Sequence, residues 1–137
     1  MASMAIQQFK SIQGSFVEKI LSERCVDVYV RYLGALKVTE SDYGLFDKLA
    51  RPRNVEDFIR ALYESVRMQE RVLRRLREGI SQGRYEVIGE VKDVDKTFRI
   101  SKDCLLKIIE LAKNHPRIVG GVIASLALAY EGIKIRG

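Results

Sequence analysis

"NVEDFIRALYESVRMQERVLRRLREG", residues 54 to 79, is the stretch on which the reading of the fold turns. Asn54 is a good N-cap residue, and Glu56 and Asp57 stand in the first turn, where the helix dipole favours acids. Phe58, Leu62, Val66, Gln69, Leu73 and Leu76 then recur at helical spacing and trace one face, which only Gln69 spoils. This predicts one long helix from about Val55 to Glu78, ended by Gly79 and Gly83.

Upstream, Ser15 with Glu18 three residues later forms a capping box. Val17, Ile20, Leu21, Val28, Tyr32 and Leu36 follow at helical spacing, giving a helix over about 16–36; residues 1–14 are expected to fray. Ser41 and Asp42 can cap a short helix through Leu49, with Leu45, Phe46 and Leu49 inward, and Pro52 stops it. Downstream the period changes. Tyr85, Val87 and Val91, then Val94, Phe98 and Ile100, alternate around Lys92-Asp93, which predicts a β-hairpin over about 84–100, though without an Asn-Gly turn. Ser101 caps a helix over about Lys102–Asn114, with Leu105, Ile108, Ile109 and Ala112 inward. Pro116 suits the first turn of a last helix, ending near Glu131 before Gly132. "IKIR" at 133–136 alternates and fits an edge strand. The fold expected is mainly α: a small bundle of about five helices with a β-hairpin insertion, α+β overall, in one domain over residues 15–137.

The formal charge is +6, which favours anionic partners, nucleic acid before a membrane surface. Cys25 and Cys104 are far apart inside apolar periodic segments. Their spacing is neither metal-binding nor that of a disulfide framework, so buried free thiols in a reducing cytoplasm are expected. No continuous apolar run suggests a signal peptide, and the nearly apolar run from Ile118 to Tyr130 is short of the roughly twenty residues a membrane span needs.

The polar side of the long helix is rich in arginine. Arg67, Arg71 and Arg74 form one row, Arg60 lies two turns back, Arg75 and Arg77 widen the stripe, and Arg84 follows the helix end. Arginine's planar fork suits phosphate better than lysine does, and lysine is absent between Lys48 and Lys92. The competing reading is a solvated face laced with pairs such as Glu70 with Arg74. Lys92, Lys96 and Arg99 make the hairpin basic as well. Its Tyr85 and Phe98 could stack on bases, but a hairpin must bury something, so they are expected in the core. In the last helix the small residues Gly120, Gly121, Ala124 and Ser125 would admit a close helix, either within the domain or from a second copy.

Nothing assembles into a catalytic motif. His115, the only histidine, has no adjacent Cys or acidic pair and suits a helix C-terminus; Asp27, Asp42 and Asp47 are scattered; no phosphate loop or dinucleotide fingerprint is present. The expectation is a non-enzyme without cofactor or metal. Two other classes stay open: a protein-only helical adaptor or self-assembly module, and a small DNA-binding regulator with a helix-turn-helix hidden around His115-Pro116.

"YGLFDKLARPRNVEDFIRALYESVR" from residue 43, the polar β-insert after Gly83 and the alanine-rich "ASLALAY" from residue 124 are, in that order, similar to the small subunit of archaeal type I-A CRISPR interference (Cascade) complexes. The resemblance runs from about Cys25 to Tyr130 and rests on size and order of elements. It implies a helical bundle with a small β part and a non-catalytic cytoplasmic role in antiviral defence. It also implies other complex subunits as partners, and contact with guide RNA or target DNA during strand exchange. Strand exchange is nearly balanced energetically, so modest backbone contacts can tip it. The arginine assignment comes from the residues themselves and not from the family.

Overall fold

The computed structural model describes residues 23–41, 44–89 and 93–136. Among them lie seven helices and two short strands: α1 (Arg24–Glu40), α2 (Gly44–Ala50), α3 (Val55–Arg67), α4 (Gln69–Ser81), β1 (Tyr85–Val87), α5 (Val94–Phe98), α6 (Lys102–Asn114), α7 (Pro116–Leu128) and β2 (Ile133–Ile135). The fold is mainly α with one small antiparallel β element, as the apolar periods imply. The Ser15–Glu18 capping box, Asp42 and Lys92 lie outside the described residues.

Helices α1 and α7 form the centre. Tyr29, Tyr32, Leu33 and Leu36 of α1 and Val119, Val122, Ile123 and Ala127 of α7 are buried, and every other helix packs against one or both. Tyr29 and Tyr32 tie α1 to α3 by polar contacts inside the core. Tyr29 Oη lies 2.6 Å from Ser65 Oγ, and the Tyr32 hydroxyl donates to the Ser65 carbonyl. Burial pushes both phenols well above the usual tyrosine pKa.

The expected long helix is two. Met68, with φ −82° and ψ −1°, separates α3 from α4. Gln69, the residue that spoiled the apolar stripe, is buried there for a reason. Its Nε2 donates to the Ile100 carbonyl at 3.2 Å, and its Oε1 accepts the Ile100 N–H at 2.6 Å. One side-chain amide thus satisfies both backbone groups of a core residue that has no strand partner. The two halves pack differently: α3 against α2, α6 and α7, and α4 against α1, α5 and β1.

Caps at Asn54 and Ser101 are as the sequence implies, accepting the N–H of Asp57 at 2.8 Å and of Cys104 at 3.1 Å. Ser41 does something else. It ends α1 in the left-handed region, φ 55°, with its N–H bonded to Lys37 O. Gly79 does not end α4 either; it is buried inside it, where a Cβ would collide with the Tyr85 ring. Gly83 makes the stop, with φ 76°, while Arg84 N–H bonds Gly79 O and Gly83 N–H bonds Ile80 O, a Schellman closure. α7 stops at Leu128, short of Glu131. The Lys37 ammonium from α1 donates to the carbonyls of Ala127, Leu128 and Tyr130 at 3.0 to 3.4 Å.

The β element is not built within residues 84–100. Tyr85 pairs with Ile135 and Val87 with Ile133, antiparallel, so the partner strand is the alternating segment near the C-terminus. Residues 94–98 are helix α5, capped by Asp93, whose side chain accepts the Asp95 N–H at 2.9 Å. Val94 and Phe98 are four apart, a helical interval, and Phe98 is fully buried. Tyr85 and Phe98 therefore belong to the edge of the core and to the core, as expected, but Phe98 is buried from helix α5 and not from a strand.

The cysteine reading is overturned. Cys25 and Cys104 form a disulfide that joins the first turn of α1 to the first turn of α6. Neighbourhood in space, set by the packing of α1 on α6, was hidden by a sequence separation of 79.

Candidate nucleic-acid interface

The arginines of residues 60–84 face solvent, but most are already engaged. Glu40, the last residue of α1, points under α4 with its side chain only 3% exposed. Arg75 donates to its Oε2 at 2.6 Å. Arg71 Nε lies 2.7 Å from Oε1 but out of line for a hydrogen bond, so this contact is electrostatic and Oε1 has no hydrogen bond. Arg77 grips both oxygens of Asp95, at 2.8 and 2.9 Å, and holds α5 onto α4. Glu70 pairs with Arg99 and not with Arg74, and Arg99 also reaches Asp95 at 3.2 Å. The Arg99 hydrogen bond holds the Glu70 carboxyl below its usual pKa. Apart from Arg99 with Asp95, these bridges cross between elements, in place of the Glu70–Arg74 lacing the sequence suggested.

Two arginines are left over. Arg67, closing α3, and Arg74, seven residues on in α4, are exposed and have no carboxylate partner among the described residues. Lys96 is likewise exposed and unpaired among them, while Lys92 is outside them. Arg84 bonds the Gln82 side chain at 2.9 Å and lies 5.6 Å from the Tyr85 ring centre. Arg60 lies two turns before Arg67 on α3. It lines a cleft between α2 and α3 with Arg51 and Arg53, and no α4 residue lines that cleft.

Two of the small residues of α7 pack within the domain. A Cβ on Gly120 would run into the Leu49 carbonyl oxygen of α2, and Ala124 is buried. Gly121 and Ser125 are half-buried. Val119, Val122, Ile123, Ala124 and Ala127 of α7 are all in the core. His115 is the residue between α6 and α7, at the C-cap of α6. Among the described residues no group of three His, Cys, Asp or Glu side chains is placed to hold a metal ion, and no helix is long and apolar enough to cross a membrane.

Tyr63 was missed by sequence reasoning. It is 46% exposed on α3, three residues after Arg60 and four before Arg67. An outward aromatic inside an otherwise regular apolar period was the available signal.

No protein-family model, curated protein or solved structure matches the chain.

Proposed function

We propose that the chain is a non-catalytic, nucleic-acid-contacting small subunit of a CRISPR interference ribonucleoprotein, steadying a strand backbone during target strand exchange. The observation that carries it is the pair Arg67 and Arg74. They are exposed guanidiniums without partners among the described residues, one closing α3 and one on α4, beside Arg71, Arg75 and Arg77, which are paired with carboxylates. Such a face offers phosphate contacts that do not read sequence. The sequence resemblance to the archaeal subunits adds to this on chain size and helix order, though not on the β-insert, since β1 pairs with the strand Ile133–Ile135. The disulfide removes the argument from free thiols for a cytoplasmic location, but intracellular disulfides are common in hyperthermophilic archaea, so a cytoplasmic archaeal complex accommodates it.

Arg71 and Arg75 are the wrong pair to reverse, because new carboxylates there would face the buried Glu40. Arg67→Glu with Arg74→Glu is the informative variant. A tagged chain recovered from its host, with and without nuclease, should bring down repeat-derived guide RNA and large complex subunits, and the double variant should lose nucleic acid with its fold unchanged. Protein partners without guide RNA would overturn the family reading.

A further inference from the structure

Between the end of α2 and the start of α3 lies a cleft of about 270 Å³ lined by Lys48, Arg51, Arg53 and Arg60 together with Asp47, Asp57 and Glu64. Its cations are held quite differently from those on α4. Arg51 lies 3.3 Å from Asp47, Lys48 is 3.5 Å from Glu64, and Arg53 and Arg60 share Asp57 at 3.5 Å each. A charge-assisted hydrogen bond to a carboxylate has a length of about 2.7–2.9 Å, and none of these reaches it. The side chains of Arg51, Arg53 and Arg60 are 84%, 92% and 79% exposed. Contacts this loose and this wet hold little free energy, so an incoming anion displaces them cheaply.

We infer that this cleft is a phosphate-binding site. Three guanidinium forks and one ammonium border a space that admits a small anion and a few waters. A planar carboxylate presents two oxygens to such a set, whereas a tetrahedral phosphate presents three or four and can engage forks from several sides at once. Asp47, Asp57 and Glu64 act as resident counterions, keeping the empty cleft near neutral. The phosphate comes either from a nucleic-acid backbone or from a free phosphate or nucleotide. The site stands apart from the α4 face and does not depend on the CRISPR reading, so a failed pull-down leaves it intact.

The test is an NMR titration of the isotope-labelled full chain, first with inorganic phosphate and then with a short oligothymidylate, at ionic strength matched by chloride. Expected is saturable displacement of the resonances of residues 47–61, including the guanidinium signals of Arg51, Arg53 and Arg60. Arg51→Glu with Arg53→Glu should weaken it roughly tenfold or more at unchanged melting temperature. Saturation by inorganic phosphate assigns a free-phosphate site, and saturation by the oligonucleotide alone assigns a strand backbone. The inference is overturned if chloride reproduces the shifts, if neither probe moves these residues beyond the rest of the surface, or if the double variant responds like the parent chain.

Discussion

On α4, Arg71 and Arg75 close on one buried carboxylate and Arg77 clamps α5, whereas at the α2–α3 cleft Arg51, Arg53 and Arg60 stand out in solvent beside carboxylates they barely touch. In the sequence the first group is the conspicuous one. In the molecule much of it is structural, joining α1, α4 and α5. The lesson is that arginine density marks where charge is spent on holding elements together as readily as where it is offered to a ligand. What distinguishes the two uses is contact length, 2.6 to 2.8 Å for Arg71, Arg75 and Arg77 against 3.3 to 3.5 Å at the cleft, and for Glu40 also burial, at 3% exposed.

The largest test asks whether the two surfaces belong to one cooperative unit. The disulfide joins α1, which carries α4, to α6, which carries α3. Cys25→Ser with Cys104→Ser should cost about 3–5 kcal/mol, read from the denaturant midpoint. Hydrogen exchange should then quicken in α3 and α4 together. Loosening of α3 alone would make the cleft a separate folding unit.

Next is the joint between them. Gln69→Leu keeps the volume but strands the N–H and C=O of Ile100, and should cost about 2–4 kcal/mol in thermal or denaturant unfolding. A loss below 0.5 kcal/mol, on the order of an ordinary surface change, would mean the amide is dispensable.

The pH response should separate the two attachments. Tyr29 and Tyr32 hold α1 to α3 and have pKa values raised by burial. Their contribution is complete below the unfolded value of about 10 and is lost as pH rises beyond it, by roughly 1.4 kcal/mol per unit for each phenol. Tyr29→Phe should blunt this alkaline loss. Glu70, held low by Arg99, works the other way: its contribution is present above its unfolded pKa and is lost as pH falls below it. Alkali thus attacks the α3 side, acid the α4 side, and melting curves at both extremes with Glu70→Gln check the assignment.

A smaller effect follows from Glu40. Glu40→Gln should lower stability by about 1–2 kcal/mol, less than for a fully buried pair because Arg71 and Arg75 are about half exposed. It should also free two guanidiniums, so polyanion affinity at α4 rises while the melting temperature falls. A parallel fall in both would show that the bridge positions the arginines for binding.

Much of the fold was legible because apolar period and caps are local signals: Asn54, Ser101, Pro116 and the α6 face stand where their spacing put them. The misses are non-local. Glu40 reaching under α4, Ile100 paired with Gln69, β1 finding Ile133–Ile135, and Cys25 meeting Cys104 all depend on which helices become neighbours. The candidate site suffered most from this. Arg60 and Arg67 both lie on α3, ahead of the break at Met68, so what counting turns along one straight helix did not foresee is the interruption between Arg67 and the α4 arginines. The α5 error was avoidable, since Asp93 is a cap and Val94 and Phe98 keep a helical interval.

The mildest perturbation to the fold discriminates best between the two surfaces. Arg67→Ala with Arg74→Ala removes no ion pair seen among the described residues, so stability should change by less than about 0.5 kcal/mol. If these two side chains each neutralise a phosphate of a single strand, the slope of log affinity against log salt should shrink by about 1.4, two contacts at roughly 0.7 each. Arg51→Ala with Arg53→Ala should shrink it by a similar amount only if the same strand also crosses the cleft. Combining the four changes then decides the path. Additive losses place both surfaces on one strand, as independent contacts require, and a slope set by Arg67 and Arg74 alone leaves the cleft to a separate phosphate. Tyr63, between Arg60 and Arg67 on α3, lies where a strand passing from one surface to the other would stack a base. Tyr63→Ala should therefore weaken oligonucleotide binding several-fold, about 1 kcal/mol, without altering the salt slope.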